Sequence, residues 1–499
     1  NGNPALGIGA SQVNFITPSG SNQYHGRLYW QNRNSHFAAN QWFSNKAGRD
    51  PVTGERLSPK PFLNVNQGGG GIAGPLLKDK LLFYTNYEAY RQHKQAIENA
   101  TILSASARQG IFTYRDAQNR VQRVNVLSAA GVRLDPRLQQ VLQQTPGPEN
   151  INNFETGDSD RSLVRNTAGY QFNVRDNTIR DNVTTRLDYN YSSAHLFAGT
   201  YRYNREIVDR PDIENGYHRA PVIQNDDHVH FLSAAWRWTP SPSWTNELRG
   251  GFNLAPGDFV VTEQVGAQLF TGFNFTNPVV NFRPEGRDTN TFNFMDNLAW
   301  QKGSHNFRFG AQFQRVYVTP FHSNGLIPTY EIGLSAENPI FLDFSQFPGG
   351  ISSTDLGRAE GLLATLGGIV GGASQSFNIQ DRSSGFVPGQ EFRRRYSLHN
   401  YSFYAQDSWK LHRKVTVNLG LRWEYAGRFD ERDGLILSPI FTSVGVRDTL
   451  LSNATLDFAG RRVNRPLYSK DLNNFAPNIG FAWDLFGDGK TALRAGYAI

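Results

Sequence analysis

Apolar and polar residues alternate position by position along much of this chain. In "YSFYAQDSWKLHRKVTVNLGLRWEY", Tyr401 to Tyr425, an extended backbone puts Leu419, Leu421, Trp423 and Tyr425 on one side and Asn418, Gly420, Arg422 and Glu424 on the other. The same period of two runs through "SHNFRFGAQFQRVYV", where Phe307, Phe309, Ala311 and Phe313 oppose Arg308, Gly310, Gln312 and Gln314. Such segments predict strands near 23–33, 65–74, 81–92, 184–191, 194–205, 228–239, 243–254, 291–300, 304–317, 396–410, 414–426, 474–485 and 490–498.

The links between these strands sort by length. Short ones, "PLLKDK" (75–80), "SS" (192–193), "PSP" (240–242), "QKG" (301–303), "LHR" (411–413) and "FGDGK" (486–490), alternate with long ones near 34–64, 93–183, 206–227, 255–290, 318–395 and 427–473. An antiparallel meander with short turns at one rim and long loops at the other is the pattern of an outer-membrane barrel, with the short turns periplasmic and the long loops extracellular. A soluble sandwich does not sort its loops this way. The predicted fold class is therefore all-β, an antiparallel meander forming part of a transmembrane β-barrel. Its apolar face meets lipid and its polar face an aqueous lumen.

Composition sharpens this. Hydrophobic residues make up 38% of the chain and no run of 18 apolar residues occurs, which excludes transmembrane helices. A barrel remains compatible, because only alternate strand residues face lipid. The 35 Phe, 20 Tyr and 9 Trp suit a protein with interfacial girdles, and Trp30, Trp236, Trp238, Trp300, Trp409, Trp423 and Trp483 fall at or near predicted strand ends. With no Cys, disulfides, zinc–thiolate sites and thiol nucleophiles are excluded. A net charge of +7 without a basic cluster in a nucleic-acid motif makes no case for a nucleic-acid partner.

Several blocks carry a family resemblance. "GASQVNFITPSGSNQYHGRLYWQNRN" (Gly9 to Asn34) resembles the plug–barrel junction of TonB-dependent outer-membrane receptors, specifically the Oar-like group. "NQGGGGIAGPLLKDKLLFYTNYEAYRQ", "DNVTTRLDYNYSSAHLFAGTYRYN", "YAQDSWKLHRKVTVNLGLRWEY" and "NNFAPNIGFAWDLFGDGKTALRAGYAI" follow in order and resemble successive barrel strands of that group. The resemblance implies a barrel of about 22 strands filled by a plug. It implies that residues 1–20 are the C-terminal end of the plug, with Val13, Phe15 and Ile16 as apolar contributions to its last strand, and that residues 21–499 are a partial barrel. Both chain ends look cut on this comparison, so the sheet is expected to be curved and open, with two unpaired edges. The expected location is the outer membrane of a Gram-negative bacterium. Expected partners are outer-membrane lipid and lipopolysaccharide, the TonB complex acting through a missing N-terminal part, and an extracellular substrate of unknown identity.

Candidate chemistry is sparse. Gly69, Gly71 and Gly74 match G-x-G-x-x-G, but Pro75 and a second strand follow where a dinucleotide site needs a helix. His228 and His230 share a strand face as metal ligands would, with only Asp226 and Asp227 nearby, and read as ordinary lumen or rim histidines. "FDERDG" (Phe429 to Gly434) lacks the spacing of an EF-hand loop. The "RRR" at 393–395 is either a solvated loop end or a contact for lipopolysaccharide phosphates. "GLLATLGGIVGG" (Gly361 to Gly372) is too short to span and predicts a short helix or packed turn in an extracellular loop. No catalytic constellation, cofactor or metal site is singled out, and the chain is read as no enzyme. Arg27, Arg308, Gln312, Arg422 and Glu424 are the lumen-facing candidates, in contact with plug or substrate. The function expected is import of a scarce or bulky substrate across the outer membrane; the alternatives are a passive, adhesive or export-related barrel and an outer-membrane hydrolase.

Overall fold

The computed structural model describes residues 16–499 apart from 41, 47–48, 50–53, 55, 57–59, 159–164, 339 and 441–454. Thirteen principal strands form one meander. They are β1 (His25–Asn34), β2 (Leu63–Leu77), β3 (Leu81–Leu103), β4 (Thr178–Ser192), β5 (His195–Asp209), β6 (Ile223–Ser241) and β7 (Trp244–Val261). They continue as β8 (Glu285–Lys302), β9 (His305–His322), β10 (Tyr396–His412), β11 (Val415–Tyr425), β12 (Asn474–Asp484) and β13 (Ala492–Ala498). Each is antiparallel to its successor. Among the described residues β1 and β13 each have a single partner in the meander, so the sheet is open, as expected. No described helix is long and apolar enough to cross a membrane.

All thirteen predicted strands are present, but most reach further toward the long-loop rim than the alternation indicated. β4 begins at Thr178, β5 ends at Asp209, and β8 begins at Glu285. These extensions carry Arg180, Asn182, Glu206, Asp226, Asp258 and Asp288. Hydrogen-bonded ladders continue above the apolar band, where no hydrophobic period marks them. β3 shows a further device: Leu81–Gln92 pairs with β4, whereas Gln95–Leu103 pairs with a separate strand, Thr167–Arg175.

The two faces separate as predicted. Residues paired across the ladder share a face, so Phe309, Phe313, Leu419, Leu421 and Phe403 stand together. Among the described residues no other layer covers them: Leu421 is 47% exposed and Phe403 52%. Trp238, Trp244, Trp300, Trp409 and Trp483 lie on this face beside the short turns, as a girdle would. Their neighbours include other rings, with His305 stacked 5.2 Å from Trp409 and Phe307 tilted 5.6 Å from Trp300. Within the apolar band two described carboxylates interrupt the face, and each has a partner on it. Asp296 accepts from Asn246 at 2.7 Å, and Asp407 lies 2.7 Å from the His305 ring.

The buried core lies among the long loops. Leu103, Phe112, Tyr114, Val126, Leu127 and Leu142 from one segment pack with Ile332, Leu342, Phe347, Leu362, Leu363 and Leu366 from another, and Phe275 joins from a third. Their short elements include α1 (Val126–Ala130), α2 (Pro136–Gln143) and α3 (Ser353–Gly367). Ser352 caps α3, accepting from the Asp355 amide at 3.1 Å, and Gly368 ends it in a left-handed conformation at φ 62°. The apolar run expected to be a helix or packed turn is the second half of α3 followed by a short strand, Val370–Ser374. Hydrogen bonds lock the segments together: Tyr114 donates to the Pro348 carbonyl at 2.8 Å and Gln346 to that of Ala129 at 2.9 Å. Leu269–Thr271 runs parallel to Thr329–Ile332 and ties in the third segment. We refer to this unit as the loop cap.

Candidate functional site

The polar face of the sheet carries the predicted site residues. Following the register from strand to strand places Arg27, Arg308, Gln312, Arg422 and Glu424 on one face, opposite the exposed Leu419, Leu421 and Phe403. Three of them come together. Gln312 pairs with Ser402 and Ser402 with Glu424, while Gly310 pairs with Tyr404 and Tyr404 with Arg422. A cavity of about 220 Å³ opens at this group, lined also by Gln314, Asn400 and Tyr425.

Arg422 is only 7% exposed, so its guanidinium needs partners, and it has them. It donates to the Ser402 hydroxyl at 2.8 Å and forms an ion pair with Glu424. One row nearer the short turns, Gly310 leaves the space that the Tyr404 ring fills. A Cβ at position 310 would lie 2.1 Å from Tyr404 Cε1. That packing delivers the Tyr404 hydroxyl to Asn297 Oδ1 at 2.9 Å. Toward the long loops, Asn400 donates to Gln314 at 2.8 Å and Gln314 to Asn293 at 3.0 Å.

Arg308 and Arg27 do not join this group. Arg308 is exposed on β9 nearer the short turns, and Arg27 lies on β1, its guanidinium 5.6 Å from the Tyr29 ring centre. Val13 and Phe15 lie outside the described residues. Ile16 is 85% exposed and residues 16–24 form no strand. That segment nevertheless touches the polar face: Arg186 on β4 donates to the Thr17 carbonyl at 2.6 Å while pairing with Asp188 at 2.8 Å. On β6 and β7, Glu247 is shared by Arg237 at 2.9 Å and Arg249 at 2.7 Å. Ser402, Tyr404, Arg186 and Glu247 were not singled out from sequence. Their signal was present, since each occupies a polar alternate position of a predicted strand.

The remaining sequence candidates resolve structurally. Gly69, Gly71 and Gly74 sit inside β2 with strands on both sides, where a Cβ at 69 would meet the Tyr87 carbonyl at 2.5 Å. This is close strand packing, not a nucleotide loop. His228 and His230 lie on the face of Trp236, within 2.9 Å and 2.8 Å of the Tyr203 and Tyr201 hydroxyls. Among the described residues no three His, Asp or Glu side chains cluster as a metal would require. In "FDERDG", Glu431 is buried and turned inward, accepting from the Leu435 amide at 2.6 Å. Asp433 pairs with Arg395 of the "RRR" run, and that guanidinium holds the Asp433 carboxyl below the usual carboxylate range.

The family model described as outer membrane beta barrel domain matches residues 16–499. No curated protein matches the chain. Similar solved structures include the outer membrane transporter YddB from Escherichia coli, with 10% identity and a TM-score of 0.43, covering 96% of this chain and 43% of that one. The siderophore receptor PirA from Acinetobacter baumannii shows 9% identity and a TM-score of 0.41, with coverage of 97% and 44%. A mutant of the ferric enterobactin receptor PfeA from Pseudomonas aeruginosa shows 12% identity and a TM-score of 0.42, with coverage of 97% and 44%. The chain thus spans less than half the length of each.

Proposed function

This chain belongs to the outer membrane β-barrel domain family and is located in the outer membrane, and from that premise we propose that it is the barrel of a TonB-dependent receptor of the Oar-like group. On this reading it imports a scarce or bulky substrate. The observation that carries the reading is the grip of Arg186 on Thr17. A chain segment ahead of β1 held against the polar face is what a plug ending near residue 20 requires, with the barrel beginning at 21. Arg27, Arg308, Gln312, Arg422 and Glu424 then face an aqueous lumen, and the bare apolar face meets lipid and lipopolysaccharide. Transport of this kind draws its energy from TonB, so the chain needs no catalytic group.

The test is growth and uptake on siderophores, glycans and peptides in strains with and without the full-length gene, repeated without TonB. A TonB-dependent difference for one substrate class is the expected result. An unchanged profile across all classes refutes import, and a difference that survives loss of TonB makes the barrel passive.

A further inference from the structure

A cleft of about 660 Å³ opens at the long-loop rim between the segment leading into β10 and the segment following β11. Its volume is that of a small-molecule site. Five arginines line it, Arg382, Arg393, Arg394, Arg395 and Arg462, against three carboxylates, Asp381, Glu391 and Asp433, an excess of two positive charges (5 − 3).

The carboxylates are already engaged. Arg395 donates to Asp433 at 2.7 Å, Arg393 to Glu391 at 2.9 Å, and Asp381 accepts from the Ser383 amide and hydroxyl, both at 2.7 Å. Three cations have no close ion pair. Arg382 is exposed and has no ion pair among the described residues. Arg462 comes no closer to Asp433 than 3.9 Å. Arg394 is 6% exposed; its guanidinium donates to the Arg393 carbonyl at 2.8 Å and stacks 4.8 Å from the Phe392 ring centre, with no ion pair among the described residues. Burial lowers its pKa, against the raising influence of the nearby Glu431 and Asp433 carboxylates. Beside it, sharing Ile379, Arg394 and Leu435, is a second hollow of about 270 Å³ walled by Phe377, Phe386, Phe392 and Tyr396.

From this juxtaposition we propose that the cleft binds a soluble organic oxyanion, a carboxylate or phosphate ester, that carries an aromatic group. Arginine forks match the two oxygens of such a group. The unmatched arginines take the oxyanion and the neighbouring hollow takes the ring. Naming this anion as the transported substrate rests on the import reading; the binding chemistry of the cleft does not.

Calorimetric titration of the full-length protein in detergent with phenyl phosphate tests it, with inorganic phosphate and benzyl alcohol as half-probes. Saturable binding is expected, tighter for phenyl phosphate than for either half and weakening with salt. Arg382→Ala and Arg462→Ala should each reduce affinity by about tenfold, the loss of one charge-assisted hydrogen bond. Arg394→Lys, which keeps the charge and loses the fork, checks the buried position with less risk to folding. Absence of saturable binding, or binding indifferent to all three variants, overturns the proposal. So does a result in which the variants lose binding only to vesicles containing lipopolysaccharide, which makes the cleft a lipid contact. If the variants lose phenyl phosphate while the gene confers no uptake, only the import reading falls. If uptake proceeds and no anion binds, only the cleft proposal falls.

Discussion

Leu362→Ala tests whether the long loops form one body. Leu362 is fully buried on α3 and packs in a core built from three segments separated by long stretches of chain. Removing a buried leucine side chain costs about 2–5 kcal/mol, the spread depending on how far the site collapses. The surroundings of Leu362 are held from several directions, with Asp135 donating to the Leu366 carbonyl and Gly333 to that of Ile369, both at 2.9 Å. Collapse is therefore restricted, and about 3 kcal/mol is expected, which raises the population of the opened cap roughly 100-fold. Hydrogen exchange on the full-length protein in detergent reads this directly. Exchange should accelerate together in α3, in the hairpin Ile111–Arg115/Val121–Asn125, in α1 and in Thr329–Ile332, while β8 to β10 keep wild-type protection. Acceleration confined to α3 would show that the loops are independent and refute the shared core.

Three further outcomes follow from the polar face and the cap. Arg422→Ala strands a partly buried Glu424 carboxylate and the Ser402 hydroxyl; with Glu424 still partly solvated the cost is about 1–3 kcal/mol, less than for a fully buried pair, and Glu424→Gln in the same chain should restore part of it in urea titrations followed by gel mobility. Gly310→Ala displaces the Tyr404 ring and forfeits its bond to Asn297, about 0.5–1.5 kcal/mol, so Tyr404→Phe should add little in the Gly310→Ala background. Burial opposes ionisation of Asp116, yet bonds from Gln122 and Arg120 prevail and hold its carboxyl at about 2, below the ordinary 3.8. A depressed folded-state pKa gives a contribution that is complete above the ordinary value and disappears as pH falls through about 2. Amide protection in the 111–125 hairpin should accordingly persist at pH 4 and fall away between roughly pH 3.8 and 2; loss near neutral pH would contradict the assignment.

The sequence was most legible where one side of the chain must be apolar. Alternation located all thirteen strands and grouped Arg27, Arg308, Gln312, Arg422 and Glu424 on one side of them, because a one-residue slip would move Leu419 or Phe309 to the wrong side. It gave no height along the strand. Arg308 and Arg422 therefore looked equivalent, although only Arg422 belongs to the group with Gln312 and Glu424. Strand ends such as Arg180 and Glu206 were invisible for the same reason: above the apolar band nothing imposes a period. The loop cap was hidden differently. Its core unites Phe112, Leu142, Phe275 and Leu362, each within a short element whose apolar residues make sense only together. Gly310 carried a signal that only the structure interprets, since the space it leaves belongs to Tyr404 on the next strand.

Charge is handled in opposite ways at the two levels of the molecule. On the polar face four arginines come with carboxylates, Arg186 with Asp188, Arg237 and Arg249 with Glu247, and Arg422 with Glu424, whereas Arg27 and Arg308 have no ion pair among the described residues. At the rim cleft cations outnumber carboxylates. The half-exposed pairs of Arg237 and Arg249 with Glu247 add little stability, so on the import reading they act mainly on the field, sparing a charged solute a deep trap. A solute held at the rim and released below meets one strong step, and passage requires that no later step hold it as tightly. On the import reading, Glu247→Gln reverses this order by leaving Arg237 and Arg249 without their shared carboxylate. Phenyl phosphate titration should then show a second, salt-sensitive class of sites, with the rim affinity unchanged and Arg382→Ala weakening only the first. A single class in the Glu247→Gln protein would mean that this pair does not shape the field of the polar face.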